Sequence, residues 1–337
     1  MDSKPLRWAI IGAGGMGRWH VNALLKRDDV QVVAACDVNS QALESLPEGV
    51  ARFTDWTKLV ESTDLDGASV ILPHHLYPEV VGTLLHRGVH VLKEKPFARS
   101  LDDAVKMCRA AETTGRQLVV AGQHKFKSSF VTAREHLGDL GDIFLTRANI
   151  LYFAGVIAVE GKWGWRGTRS LSGGVAIVDS GWHILEMLTL VRGLPSRVAA
   201  RTARMRVSPG EYDVDEVAAL TLEYPDGGLA VVLASYITTP GETRLVLYGK
   251  RASLDVDLDH ERVTLYQGDS SRELLAGAEL DPSVHMYDLF LDSIRTGKPS
   301  PGDWREAVHV QRVIEAAYVS ASRDGVAVGL DEVPASI

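Results

Sequence analysis

Lys95, Asp179 and His183 carry side chains suited to moving a proton and steadying a charge. Lys95 stands in Glu94-Lys95-Pro96. Proline disfavours helix for the residue before it and can sit behind a cis bond, so this lysine is expected to be held extended in one direction. An ammonium fixed there, beside a redox cofactor, can hydrogen-bond a substrate hydroxyl and stabilise the alkoxide-like charge that develops as hydride leaves. On composition alone, a surface lysine before a turn would look the same. Asp179 and His183 lie in the run Ser172-Gly173-Gly174-Val175-Ala176-Ile177-Val178-Asp179-Ser180-Gly181-Trp182-His183. On a helix they would be one turn apart and face the same way. Histidine is suited to taking a proton near neutral pH, and a carboxylate beside it can orient the ring and stabilise its protonated form. A core histidine, a capping aspartate or a metal pair would leave the same spacing. No third ligand stands out, so no metal is expected.

A redox role for Lys95 requires a cofactor, and the start of the chain offers a place for one. The apolar run Trp8-Ala9-Ile10-Ile11 ends in Gly12-Ala13-Gly14-Gly15-Met16-Gly17, and a helical pattern follows at once (Met16, His20, Leu24). Gly12 suits the tight turn out of a strand, Gly14 lets a pyrophosphate approach the backbone, and Gly17 lets the helix pack closely on its strand. The helix would point its unpaired N–H groups and positive dipole end at the phosphates. A second apolar strand, Val30 to Cys36, stops at Asp37, about 20 residues past the last glycine, as a dinucleotide fold requires. An acidic side chain there accepts hydrogen bonds from the ribose hydroxyls and repels a 2′-phosphate, which favours NAD and leaves NADP as the second candidate.

The elements that must position these residues alternate. Strands are predicted near Ala51 to Phe53, at Gly67 to Leu72, Val89 to Leu92 and Gln117 to Ala121. Helices are predicted from Asp55, from Tyr77 to Arg87 and from Ser100 to Thr114, the last capped by Ser100 and ended by Gly115. This pattern makes a doubly wound, mostly parallel sheet with its ligand beyond the carboxyl ends of the strands. Three loops there matter: Leu72-Pro73-His74-His75, Glu94-Lys95-Pro96 and Gly122-Gln123-His124-Lys125. After Ser128 the pattern changes to one helix (Phe130 to Leu137), a strand near Ile143 to Tyr152, and segments with the two-residue period of half-buried strands. Leu220, Leu222 and Tyr224 share one face. The turn Pro225-Asp226-Gly227-Gly228 leads to a return strand Leu229 to Tyr236, with Arg244 to Tyr248 and Val263 to Tyr266 beyond it. The expected fold is α/β: a Rossmann domain (residues 1–124) and an α+β domain (residues 125–337) with a large open, mainly antiparallel sheet, closed by a helix from Trp304 to Ser322. The open face would be a natural association surface.

A chain of 337 residues has room for two domains and a large core. Its net charge of -8 points away from nucleic acid and acidic membranes. Cys36 and Cys108 make no ligand or disulfide pattern and fit a reducing compartment. Only Met1 to Leu6 precede the first strand, and no apolar run reads as long enough to span a bilayer, so a cytoplasmic location is expected.

Taken together, Gly12-x-Gly14-x-x-Gly17, Glu94-Lys95-Pro96, Gly138-x-x-Gly141, Trp165-Arg166, Gly173-Gly174 through Asp179 and His183, and Thr296-Gly297-Lys298-Pro299 resemble the glucose–fructose oxidoreductase/inositol dehydrogenase (Gfo/Idh/MocA) family over nearly the whole chain. The resemblance implies hydride transfer between a secondary hydroxyl of a cyclic polyol or sugar and NAD or NADP. It implies Lys95 as catalytic lysine with a cis Pro96, His183 as proton-transferring histidine, and Asp179 as the carboxylate that tunes it. The implied cofactor site comprises Gly12, Gly14, Gly15, Met16, Gly17, Asp37, Leu72, Pro73, Glu94, Lys95, Trp165 and Arg166. The implied substrate site comprises Lys95, His124, Lys125, Trp163, Asp179 and His183. A homodimer or homotetramer through the open sheet is implied as well. The family also holds NAD-dependent glycosidases, which return the hydride, and non-catalytic sugar-pathway regulators. Tyr77 stands where the family often has histidine, Lys125 where arginine is frequent, and Tyr287 is out of register with a late tyrosine of some polyol dehydrogenases. Inositol is therefore one candidate among inositols, aldoses and other sugars.

Overall fold

Apolar runs, most of them buried and stopped by turns, build a six-stranded parallel sheet in a computed structural model that describes residues 4–153, 164–205, 211–278 and 280–333. Its strands are β1 (Leu6–Ile11), β2 (Val30–Cys36), β3 (Ala51–Phe53), β4 (Gly67–Val70), β5 (His90–Glu94) and β6 (Leu118–Ala121), in the order β3-β2-β1-β4-β5-β6. Strand order reverses between β1 and β4, and a crevice opens at their carboxyl ends. Helices α1 (Gly15–Leu24), α2 (Trp56–Ser62), α3 (Tyr77–His86) and α4 (Leu101–Thr114) connect the strands. Ser100 accepts the Asp103 N–H at 3.3 Å to start α4, and Gly115, at φ +65°, ends it.

Helix α5 (Ser128–Glu135) begins two residues earlier than its pattern suggested and is followed by a single turn, α6 (Leu137–Leu140). The second sheet then starts with β7 (Ile143–Phe153). Next come a short helix α7 (Arg169–Ser172), a π-helical turn over Ala176–Ser180 and helix α8 (Gly181–Arg192). The sheet is completed by β8 (Arg197–Ala203), β9 (Val217–Glu223), β10 (Leu229–Ser235), β11 (Ile237–Gly249), β12 (Ser253–Asp257), β13 (Arg262–Gln267) and β14 (Ser270–Ala276). With β15 (Val328–Gly329) its order is β14-β13-β12-β11-β7-β10-β9-β8-β15. All neighbours are antiparallel except β7 and β10, which run parallel and are separated along the chain by residues 154–228 rather than joined by a hairpin. The β9–β10 turn closes with the Tyr224 N–H on the Gly228 carbonyl, and Gly227 adopts φ +82°.

Two helices at the end of the chain tie the sheets together. Helix α10 (Trp304–Ser322) has the bounds its pattern gives, and Asp303 caps it by accepting from Arg305 N and Glu306 N. Helix α9 (Pro282–Thr296) is absent from the sequence reading, although Asp281-Pro282 is a helix-start pair and Asp281 accepts the Ser283 N–H. Its stripe Met286, Tyr287, Phe290 and Leu291 covers the first sheet. The Trp8 ring meets Tyr287 and Phe290 edge-on, with centroids 6.2 and 5.8 Å apart. Residues 282–296, expected in the second domain, therefore share the core of the first.

One stretch corrects a further expectation. Arg169–Arg192 contains an 18-residue window of mean hydropathy 1.3, by length and composition apolar enough to cross a membrane, yet 83% of that window is buried inside the fold. It is apolar because α8 lies between the two sheets' cores. Since Phe290 is fully buried against Trp8, we expect Phe290→Ala to cost about 3–5 kcal/mol, read as a lowered urea midpoint. An unchanged midpoint would mean that α9 is only draped on the first sheet.

Candidate active site

The strand ends of the first sheet face the second sheet across a cleft of about 620 Å³. Its floor is the turn after β1. Gly12 sits at φ +97°, and a Cβ there would lie 1.9 Å from the Ile71 carbonyl oxygen; one at Gly17 would lie 2.0 Å from the Gly12 oxygen. The turn is thus tight for the reason its sequence implies. Gly14, Gly15 and Met16 line the cleft, and no side chain caps the start of α1. Those helix N–H groups and the open face of Gly14 fit a pyrophosphate. Asp37 also lines the cleft, its carboxylate held by the Ala13 and Asn39 N–H groups at 2.8 and 2.9 Å. It would hold the adenosine ribose.

Beyond β4 and β5, Leu72, Pro73, His74, Glu94 and Lys95 form the middle of the cleft. The Lys95–Pro96 peptide is cis, as the resemblance implied. Glu94 is held twice, by its contact with His20 Nε2 at 3.1 Å and by accepting the Lys95 N–H at 3.1 Å. His20 Nδ1 meets Tyr287 Oη at 2.8 Å, and that hydroxyl meets Ser69 Oγ at 2.7 Å. Tyr287, out of register with the family's late tyrosine, thus lies beneath the cofactor floor in a buried network.

The second half of the chain supplies Ile150, Tyr152, Trp165, Arg166, Asp179, His183, Thr243 and Asp259. Lys95 Nζ donates to Asp179 Oδ1 at 2.5 Å and to the Asp179 carbonyl at 3.2 Å. Arg166 Nε donates to Asp179 Oδ2 at 3.2 Å. Burial alone would raise the Asp179 pKa, but the positive charges of Lys95 and Arg166 outweigh it and hold the carboxyl ionised, well below the usual range.

Here the structure departs from one expectation. Asp179 lies in the π-helical turn and His183 in α8, and both Asp179 oxygens are engaged by cations rather than by the imidazole. His183 Nδ1 is buried without a hydrogen-bond partner. Its ring stacks on His124 at 4.1 Å between centroids. Burial, then His124 and Lys95, push its pKa well below 6.5, with Asp179 opposing them. The ring is therefore neutral at pH 7, the form that accepts a proton.

Lys125 needs a second correction. It points away from the cleft into a buried pair with Glu186 at 2.7 Å and also donates to the Val120 carbonyl at 2.9 Å. A buried ammonium needs a counter-charge, and Glu186 on α8 supplies one. Trp163 lies outside the described residues. Gln123, Tyr152, Thr243 and Asp259 were missed. Gln123 sits in a loop that the strand pattern already singled out, whereas Tyr152 and Thr243 come from distant strands and Asp259 from the β12–β13 turn, and their meeting leaves no local signal. Among the described residues, no cluster of three or more His, Cys, Asp or Glu side chains could hold a metal ion.

A glycine turn under a parallel sheet, facing an open sheet with Lys95, Asp179 and His183 between them, defines a two-domain, dinucleotide-dependent oxidoreductase. The chain belongs to the GFO/IDH/MocA family. The model of an oxidoreductase family with an NAD-binding Rossmann fold matches residues 6–122, and that of the GFO/IDH/MocA C-terminal domain matches residues 130–255. D-glucoside 3-dehydrogenase of Escherichia coli is 27% identical over 351 residues, spanning 95% of this chain and 97% of that protein. D-apiose dehydrogenase of Paraburkholderia graminis is 25% identical over 354 residues, spanning 98% and 92%. In three dimensions the chain is similar to levoglucosan dehydrogenase, solved in complex with NADH and levoglucosan. The TM-score is 0.89 at 19% identity, covering 97% of this chain and 100% of that one, a likeness of fold.

Burial lowers the pKa of His74 and of His124 to about 3, whereas the unfolded chain protonates both near 6.5. Their contribution to stability is full above pH 6.5 and is lost as pH falls toward 3, by up to about 1.4 kcal/mol per pH unit for each ring. The urea midpoint should be lower at pH 5 than at pH 7, and His124→Gln should shrink the difference. Equal midpoints at the two pH values would show that these rings are not held neutral.

Proposed function

We propose that this chain transfers hydride between NAD and a secondary alcohol of a sugar or cyclic polyol, with Lys95 and His183 acting on the same oxygen. One observation carries the reading. Lys95, from the end of β5, shares a cleft with Asp179 and His183 from the other half and with Gly14, Gly15, Met16 and Asp37. When bound, the nicotinamide supplies the two-electron acceptor. Neutral His183 takes the hydroxyl proton as the carbon–hydrogen bond breaks. The Lys95 ammonium, aimed by Asp179, hydrogen-bonds the oxygen and stabilises its developing negative charge. His124, stacked on His183, and Arg166, on Asp179, wall the sugar pocket. The acidic Asp37 supports NAD over NADP.

The dehydrogenase names of the similar proteins agree with this substrate class, and they also name different sugars. A panel of sugars, glycosides and polyols offered with NAD or NADP, followed at the NADH absorbance band, identifies the substrate. Lys95→Ala and His183→Ala should each lower turnover on it by about 10²-fold or more while NAD binding survives. Near-normal turnover in both variants would overturn the assignment of roles. Cleavage of a glycoside without net NADH would replace it with glycosidase chemistry. Tight NAD binding with no turnover across the panel would favour a regulator.

The open face of the second sheet supports a self-associating chain. Leu229, Val231 and Leu233 are each about 40% exposed or more and alternate with buried Ala230, Val232 and Ala234; Leu145 lies beside Leu229 on β7. We propose that a second copy covers this face. Val231→Arg combined with Leu233→Glu should convert a dimer or tetramer to monomer in light scattering. An unchanged mass would exclude this face as the contact.

A further inference from the structure

Lys93 is a charged side chain where strand pairing calls for an apolar one. It lies within β5 between Val70 of β4 and Val120 of β6 and is fully buried. Burial pushes its pKa well below the ordinary lysine range, a cost that a valine or leucine would avoid. Something at the site must offset that cost, and the contacts of Nζ show what does. It donates to the Glu94 carbonyl at 2.6 Å and to the Pro96 carbonyl at 2.6 Å, and it sits 3.6 Å from the centroid of the Tyr77 ring. An ammonium has three N–H groups, and here there are three acceptors: two carbonyls and one ring face. The two carbonyls flank Lys95.

The same contacts continue around Lys95 to its counter-ion. Tyr77 stacks on His74, whose Nδ1 donates to the Ser172 carbonyl. His74 meets Trp165 edge-on at 4.5 Å, Arg166 lies over the Trp165 ring at 4.3 Å, and Arg166 donates to the carboxylate that accepts from Lys95. The backbone that carries Lys95 and the carboxylate that aims it are thus joined by one chain of contacts, buried at Lys93, Tyr77 and His74 and half-open at Trp165 and Arg166, with Lys93 at its root.

We propose that Lys93 is a positioning residue: it staples the peptide units on both sides of Lys95 and so keeps the Lys95 ammonium on Asp179, pointed at the reacting oxygen. This rests on the hydride-transfer reading only for its kinetic consequence. The positioning itself is tested without substrate. Reductive methylation with formaldehyde and dimethylamine–borane, read by peptide mass spectrometry, reports how freely each lysine amine reacts. Lys106, well exposed, serves as the reference, and Lys125, buried on Glu186, reports general loosening.

In Lys93→Met the methylation of Lys95 relative to Lys106 should rise at least fivefold while Lys125 stays protected and the NADH affinity changes less than twofold. Lys93→Gln, which keeps an amide donor, should show a smaller rise of about twofold and carries the test if the methionine variant does not fold. On the substrate identified by the panel, Lys93→Met should lower kcat at least tenfold with KM within about twofold, and Lys93→Gln should recover part of the loss. A Lys95 ratio equal to the wild type, or a rise shared by Lys125, overturns the proposal. If the ratio rises but no sugar or polyol is turned over, the positioning stands and the substrate reading fails.

Discussion

The ion pair between Lys95 and Asp179 is the contact on which the rest of the architecture depends. Its cation comes from the end of β5 and its anion from the turn before α8, so it forms only when the two halves are folded against each other. Asp179 is almost fully buried, while Lys95 keeps 18% of its side chain exposed toward the cleft. Removing a partner from such a pair leaves an uncompensated buried charge, at a cost of about 3–5 kcal/mol. Arg166 adds a second cation on the same carboxylate. Both cations bear on this one carboxylate, and an alcohol oxygen giving up its proton beside Lys95 would gain negative charge there. The arrangement is therefore built for the charge of the transition state more than for that of the neutral alcohol.

Around that pair the fold keeps polar groups engaged from both sides. Beneath it, Glu94 is fixed by the Lys95 N–H and by a chain through His20, Tyr287 and Ser69 to the Trp8 indole. Tyr287 enters from α9, so a helix far along the sequence stiffens the cofactor floor. Behind His183, the Lys125–Glu186 pair fills the space between β6 and α8. The exceptions are His124, whose Nδ1 is also buried without a partner, and His183. Its stacking on His124 and its buried, unpartnered Nδ1 hold it neutral, a state suited to accepting a proton and poorly suited to storing one.

Much of this was legible in the sequence where function is written in local chemistry. Glycines at 12, 14 and 17 are dictated by backbone geometry, and most strands of the first sheet are built on short apolar runs, so both stand out. Lys95 before a proline stands out for the same reason. Partners chosen across the fold were not legible. Asp179 and His183 are spaced as a helical pair, yet a π-helical turn intervenes and the carboxylate goes to Lys95 and Arg166. Lys125 occupies a loop that borders the cleft but turns into the core because Glu186 is there to receive it. The apolar stripe of α9 was hidden by its place among the strands of the second half, although its buried face belongs to the first sheet.

The most direct test is a crystal structure of the ternary complex with NADH and the reactive sugar or polyol. Lys95 Nζ and His183 should both lie within about 3 Å of one substrate oxygen, whose carbon faces the nicotinamide. An oxygen bonded to only one of them, or a carbon turned away from the ring with the two side chains on separate groups, would contradict the shared-oxygen mechanism.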